Sequence, residues 1–425
     1  MVASSGIARR RVLLRSSWQA VNIGDIAHTF GLLRACARFA PEVEVWLWPM
    51  NIELGVREAL ARHFPEVPLV EGAWDATGQP TTPELARALA TCDVLAHGSG
   101  PSVVAWKDLE AWRRLTGKPY VICGVTLDPT RGPEPESWEG GTLSALARNV
   151  AAAPLDRLTP PVNEVLRGAR RVYCRDSLSR QYLHRLGLPR EQTAFGPDAT
   201  FACDVRDDET AGAYLAQAGL TAGTFLCVIP RLRWTPYYRF KSGFEENEHT
   251  ARLDAINERT RHTDHAPLRD LITRWVTTTG RRALLCPEMT YQVQVAREEL
   301  YEPLPPEIRA QVVWRDRYWL PDEAAAVYAR AWAVVSLENH SPILALAQGT
   351  PSLMIRQPTD TIKGQMWPDL GFDDCFFEIE ETTGAKLWDR LAAWLADYPA
   401  ARHTAQTRHA AALAQVREMV MALAE

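Results

Sequence analysis

Glu338, His340 and Ser341 stand together in "SLENHSPILALAQG", and Lys363 follows in "RQPTDTIKG". The apolar run before them reads as a buried strand and the small-residue run after them as a helix, so His340 falls at a strand-to-helix junction. A histidine there can donate a proton, and a neighbouring carboxylate such as Glu338 would raise its pKa and keep it protonated. A purely structural histidine is the plain alternative. Lys363 lies in a polar loop, where an ammonium can meet a phosphate or carboxylate as a point charge. It is one of only 5 lysines among 47 basic residues, the rest being arginine. A surface lysine without a ligand is the competing account.

Arg231 and Arg233 leave the apolar run "TFLCVIPRLRW" two positions apart. If the strand continues through them, both side chains point to one side and can converge on one anion. A surface ion-pair arrangement would look the same. The stretch that follows, 231–267, is too long for a simple connection and rich in arginine and aromatic residues. Loops of this length are commonly lids or binding loops, and Trp234 and Tyr237 suit contact with a sugar ring. Its histidines, His249, His262 and His265, lack acidic or cysteine partners at ligand spacing, so no metal is expected. Near the start, "NIGD" places Asn22 and Asp25 around Gly24 at a helix N-terminus, which can face an anion or simply be capped. "HGSGP" puts Gly98 and Ser99 in a second strand-to-turn-to-helix step, a weak phosphate-loop signal.

These residues need a frame. The first half alternates strand-like and helix-like segments: "RRVLLRSS", then 23–39, "VEVWLWP", "CDVLAHG", a helix ending at Gly117, "PYVICGV" and "RRVYCRD" before a helix ending near Gly187. The second half repeats the alternation with "RRALLCPE", "WAVVSLE" and "PSLMIRQ", and two amphipathic helices at about 385–398 and 402–424 finish the chain. Short connections between alternating elements imply parallel β-α units. The 425 residues exceed one ordinary core. We expect an α/β protein of two Rossmann-like domains, 1–205 and 206–381, followed by C-terminal helices over 382–425. Ligands in such sheets bind beyond the carboxyl ends of the strands, so the cleft between the domains is the expected site.

A net charge of −5 argues against nucleic-acid partners. The eight cysteines form no CxxC pair or zinc spacing and mostly lie in apolar runs, as in a reducing compartment. The basic N-terminal segment has too short an apolar run for a signal peptide, and no stretch approaches the roughly 18 apolar residues of a membrane span. A cytoplasmic protein without transmembrane segments is expected; its oligomeric state is not readable.

Taken together, "NIGD", "HGSGP", "YCRDSLSRQYLHRLGL" with "GPDATF", and "SLENHSPILALAQGTPSLMI" with Lys363 resemble the polysaccharide pyruvyl transferase family, in the family's order over about residues 10–375. The resemblance implies two Rossmann-like domains arranged as in GT-B glycosyltransferases. It also implies transfer of pyruvyl from phosphoenolpyruvate, as donor co-substrate and without a further cofactor, onto two hydroxyls of a glycan or lipid-linked sugar, giving a ketal and phosphate. On it, His340 matches the acid that protonates the donor's methylene, and Glu338 lies beside it. Arg231 matches an anion-binding arginine and Lys363 the late lysine. With Arg233, Ser341, Gly98 and Ser99 they form the expected donor side; Asn22, Asp25, Trp234 and Tyr237 form the acceptor side.

One residue departs from the pattern. Where the family shows arginine two positions before the histidine, this chain has Glu338. A carboxylate there repels an anionic donor by roughly 1–4 kcal/mol at ~4 Å, depending on the local dielectric. Three readings therefore stand: pyruvyl transfer, glycosyl transfer from a nucleotide sugar with Glu338 on hydroxyls, and a non-catalytic sugar-binding relative.

Overall fold

The computed structural model describes residues 9–130, 141–241 and 243–425; the first eight residues of the basic N-terminal segment and Ser242 of the long insertion lie outside them. Strands β1 (Arg10–Ser16), β2 (Val43–Pro49), β3 (Val94–His97), β4 (Tyr120–Val125), β5 (Arg171–Cys174) and β6 (Thr193–Phe195) form one sheet in the order β2-β1-β3-β4-β5-β6. Strands β7 (Leu226–Ile229), β8 (Ala283–Leu285), β9 (Val312–Trp314), β10 (Ala333–Ser336), β11 (Ser352–Arg356) and β12 (Phe376–Glu378) form a second, in the order β12-β11-β10-β7-β8-β9. Every strand pair is parallel. All six residues of β4 and all four of β7 are buried, because helices cover both faces of a parallel sheet. Strand order reverses between β1 and β3 in the first sheet and between β7 and β10 in the second. Ligands of doubly wound sheets bind at these switch points, and the loops leaving β1, β7 and β10 carry Asn22, Arg231 and His340.

The apolar pattern of the sequence finds most elements, but two expectations change. The strand read through 224–234 ends at Ile229. Pro230 follows and has no N–H to extend the ladder. The insertion 231–267 is not one long loop: a helix of 32 residues spans Glu248–Thr279. It opens with a capping box between Asn247 and Thr250 and carries Pro267 in its interior, which is why the sequence pattern breaks there although the helix does not. The irregular part of the insertion is confined to the stretch before Asn247.

The helix Ile23–Phe39 is buried on nearly every side, the mark of a helix enclosed by other layers. The reason is its position between the sheets: it packs against the helix His340–Ala347 and the helix Pro321–Tyr328 of the second domain. The backbone joins there too. Ile23 N donates to Glu288 O at 3.0 Å and Thr290 N to Val21 O at 3.1 Å, an antiparallel bridge between the domains. After the helix Gly384–Ala396, the last helix, Tyr398–Met421, returns to the first domain. It lays Val416, Met419 and Val420 into the core, and His409 Nε2 donates to Phe201 O at 2.7 Å. All eight cysteines are buried and unpaired with one another. No helix among the described residues is long and apolar enough to cross a membrane.

Candidate active site

His340 is the first residue of its helix, and carboxylates from both domains hold its ring. Glu288, just beyond β8, receives a hydrogen bond from Nδ1 at 3.0 Å, and Asp198, just beyond β6, lies 3.6 Å from Nε2. The second distance is that of an ion pair and longer than an ordinary hydrogen bond, so Asp198 faces Nε2 chiefly as a charge. Burial alone would lower the histidine's pKa, but the two carboxylates outweigh it and raise the pKa to about 10. Burial would likewise raise the pKa of Asp198 and of Glu288; the His340 charge reverses both, assisted by Arg175 at Asp198 and by Ser341 at Glu288.

Each carboxylate is itself anchored. Arg175 Nη1 donates to Asp198 at 2.8 Å and Arg175 Nε to Thr126 at 2.7 Å. Asp176 caps the helix that begins at Ser177, through Ser179 N at 2.7 Å. The Arg-Asp-x-x-Ser segment and the later Pro-Asp thus form one buried scaffold behind the histidine. Ser341, expected to touch the donor, is buried; its backbone N–H donates to Glu288 at 2.6 Å. It orients Glu288 instead. Gly24 closes the other side of the ring. A Cβ added there would lie 2.1 Å from His340 Nδ1, so the glycine of "NIGD" is required by close packing and not by a turn.

A second cluster adjoins the first. Arg231 pairs with Asp360 through Nη1 and with Glu338 through Nε at 3.3 Å, and Lys363 reaches the same Asp360 oxygen at 3.3 Å. Burial would raise the pKa of Asp360, yet Arg231, Lys363 and Arg356 hold it well below the usual carboxylate range. Glu338 differs. It is 4% exposed, accepts from Gln292 Nε2 at 2.7 Å, and burial raises its pKa to about 7 despite Arg231. Two cations therefore face two carboxylates, one of which changes charge near neutral pH.

Arg231 and Lys363 open into a cavity of about 410 Å³ whose walls include Trp234, Tyr237, Phe244 and His249. His340 is not part of that wall. Arg233 also lines the cavity, but its guanidinium is held by Asp264 at 2.8 Å and Glu380 at 3.3 Å. The two arginines consequently do not converge as a strand would have made them do. The three histidines of the insertion separate as well: His265 is buried and accepts from Arg231 N at 3.3 Å, His249 lines the cavity, and His262 lies 3.6 Å from Glu299. Among the described residues no three His, Cys, Asp or Glu side chains are grouped to hold a metal.

Gly98 and Ser99 do not reach the cleft. Gly98 N donates to Arg15 O at 2.9 Å, Ser99 is wholly buried, and its hydroxyl accepts from Ala199 N at 3.2 Å. Ser99 O also accepts from Trp18 Nε1 at 2.6 Å, so both residues brace the first sheet. Asn22 is the helix cap, accepting from Gly24 N at 2.7 Å. Asp25 lies beside it at the domain junction, bonded by Gln19 Nε2. Asp198, Glu288, Asp360 and Gln292 were not singled out from sequence as site residues. Asp198 and Glu288 had a readable signal, an acidic residue three positions past a strand end, Asp198 within "GPDATF"; Asp360 and Gln292 had none.

Two parallel six-stranded domains with the histidine at their junction define a GT-B-like frame. Solved structures agree on that fold. The Anabaena protein HepE in complex with UDP is 12% identical, with a TM-score of 0.52, over 97% of this chain and 98% of its own. A glycosyltransferase from Rickettsia africae is 9% identical, with a TM-score of 0.54, over 97% and 96%. A search of curated proteins finds no match. The model of the polysaccharide pyruvyl transferase family matches residues 22–357; the chain belongs to this family of polysaccharide-modifying transferases. The match takes in Asn22, Asp198, Glu288 and His340 and ends before Asp360 and Lys363.

Proposed function

We propose that the protein transfers a pyruvyl group from phosphoenolpyruvate to two hydroxyls of a glycan or lipid-linked sugar, forming a ketal and releasing phosphate, with no further cofactor. The observation that carries this reading is His340, set between Glu288 at 3.0 Å from Nδ1 and Asp198 at 3.6 Å from Nε2. Protonation of the methylene carbon of an enol phosphate needs an acid. The Nε2–H bond breaks as the C–H bond to the donor methylene forms, and the cationic carbon left behind is attacked by the acceptor hydroxyl. The neutral imidazole that remains between two carboxylates recovers a proton readily, because its raised pKa favours the charged form.

Arg231 and Lys363 supply the anion contacts of the donor. With Glu338 ionised, their charge is cancelled by Glu338 and Asp360; with Glu338 protonated, two cations face one carboxylate and the cluster keeps one positive charge. The donor therefore binds best with Glu338 neutral. The aromatic wall of Trp234 and Tyr237 gives the acceptor sugar a face to lie on.

A second reading, glycosyl transfer from a nucleotide sugar, is favoured by Glu338 itself, since a carboxylate accepts hydrogen bonds from ribose or sugar hydroxyls. Calorimetric titration with phosphoenolpyruvate separates the two. Binding to the native protein that weakens as pH rises past 7 supports pyruvyl transfer. Absence of binding at pH 6 to both the native protein and Glu338→Arg, together with binding of a nucleotide sugar, would overturn it. Absence of binding to either donor would leave the non-catalytic sugar-binding relative as the reading.

A further inference from the structure

Ketal formation removes a proton from each acceptor hydroxyl, and His340, as the acid, cannot begin by taking them. Asp25 is the candidate for that task. Its carboxylate sits one residue beyond Gly24, the position in van der Waals conflict with any side chain larger than hydrogen because the His340 ring lies against it. Gln19 Nε2 donates to one Asp25 oxygen, and the other lies 3.5 Å from His28 Nε2. His28 is 2% exposed, and neither of its ring nitrogens has a hydrogen-bond partner among the described residues. The buried imidazole faces that carboxylate at ion-pair distance. Gln19 in turn lies 3.4 Å from the Tyr237 hydroxyl on the cavity wall and accepts from Lys241 Nζ at 3.2 Å. Asp25 is thus linked through Gln19 to the cavity wall and lies within the field of the His340 charge. The side chain keeps 13% exposure, the same as His340.

We infer that Asp25 is the general base that deprotonates the acceptor hydroxyl, with His28 as its positioning residue. The inference rests on the pyruvyl-transfer reading. The steps balance as follows. His340 gives one proton to the donor's methylene carbon. The first hydroxyl oxygen bonds to the cationic carbon and its proton passes to Asp25. The carbon–oxygen bond to phosphate then breaks, and that proton leaves on the phosphate. The second hydroxyl closes the ketal through the same carbon; its proton passes by Asp25 to His340, restoring the acid. No oxidant, reductant or metal is consumed. Burial works against an ionised Asp25, but His28, Gln19 and the charge on His340 together keep its pKa below the usual range.

The test uses the full-length protein with phosphoenolpyruvate in deuterated water. Asp25→Asn is expected to bind phosphoenolpyruvate with native affinity and still to exchange deuterium into its methylene, while ketal formation falls by about 100-fold or more. Asp25→Ala, which lacks the oxygen ligand altogether, should recover turnover on addition of formate, a response no structural defect would give. Ketal formation by Asp25→Asn within threefold of native would overturn the base assignment and leave pyruvyl transfer standing. Loss of methylene exchange together with ketal formation, without rescue by formate, would also overturn it. Failure of the native protein to exchange or consume phosphoenolpyruvate overturns the underlying reading and the base assignment with it.

Discussion

His340 decides what the pH dependence should look like. An ordinary histidine would lose its proton near 6.5, and an acid catalyst would fail above that. Here the folded-state pKa is about 10. Turnover should therefore show no descending limb at 6.5 assignable to this acid. A limb near 7 belongs to Glu338, whose ionisation weakens donor binding and so moves KM more than kcat. A kcat profile falling at 6.5 would refute the assignment. The same shift is a stability statement. A group whose pKa is raised on folding contributes fully below its unfolded value of about 6.5 and loses that contribution as pH climbs toward 10. Thermal melts should then decline over that window, and His340→Ala, which strands Asp198 and Glu288 as buried carboxylates, should cost about 3–5 kcal/mol at neutral pH. Glu338 adds a second, separable slope. Its folded pKa of about 7 lies above the usual 4.5, so the fold prefers it protonated and is weakened as pH rises between these values. Glu338→Gln should flatten that part of the stability profile and tighten phosphoenolpyruvate binding above pH 7, both readable by melts and calorimetry; a profile identical to native would show that Glu338 does not ionise there.

At the scale of elements, the parts that were legible in the sequence are those with a strong period. The strands of buried apolar residues and the helix over 23–39 follow from patterning alone, and so does the placement of His340 at a strand-to-helix junction. Short strands without a run of their own, β6, β9 and β12, did not stand out: each is three residues long and pairs by position in the sheet rather than by composition. The long helix was hidden by Pro267, and the pairing of Arg231 and Arg233 was misread because Pro230 ends β7 early. Glycines were legible as small but not as to purpose. Gly98 fits against Ser16, whose hydroxyl would lie 2.4 Å from an added Cβ, so it is packing that demands it. Gly24 has the sharper consequence. Gly24→Ala forces either the helix N-terminus or the His340 ring to move, at a cost of about 1–3 kcal/mol. Since the ring is clamped by two carboxylates, its displacement should also lower the histidine's pKa. We expect a modest loss of melting temperature with a large loss of turnover, and a histidine resonance that titrates well below 10 by NMR; native turnover would show that the ring tolerates the shift.

For the whole molecule, the two sheets do not unfold as separate bodies if their shared packing governs stability. One contiguous apolar core runs from Val12, Ile23 and Phe30 of the first sheet's layers through Leu226, Val335 and Leu344 of the second to Val416 and Val420 of the last helix. The helix Ile23–Phe39 belongs to both domains in packing, and in the turn after the last helix Ala424 O accepts from Arg10 Nη1 at 3.4 Å. Such an arrangement has a functional consequence: His340 is gripped by Asp198 from one domain and Glu288 from the other, so separation of the domains would break the acid. Opening of the domains by a wide hinge would part His340 from one of its two carboxylates. Calorimetry should accordingly give one transition, with calorimetric and van't Hoff enthalpies in agreement. Val416→Asp, a charge placed on a fully buried position of the last helix, should lower stability by several kcal/mol and reduce amide protection in the helix Ile23–Phe39 and in the helix His340–Ala347 together. Two resolved transitions, or loss of protection in the first domain alone, would mean that the domains are energetically independent and that the acid at their junction is assembled only when they close.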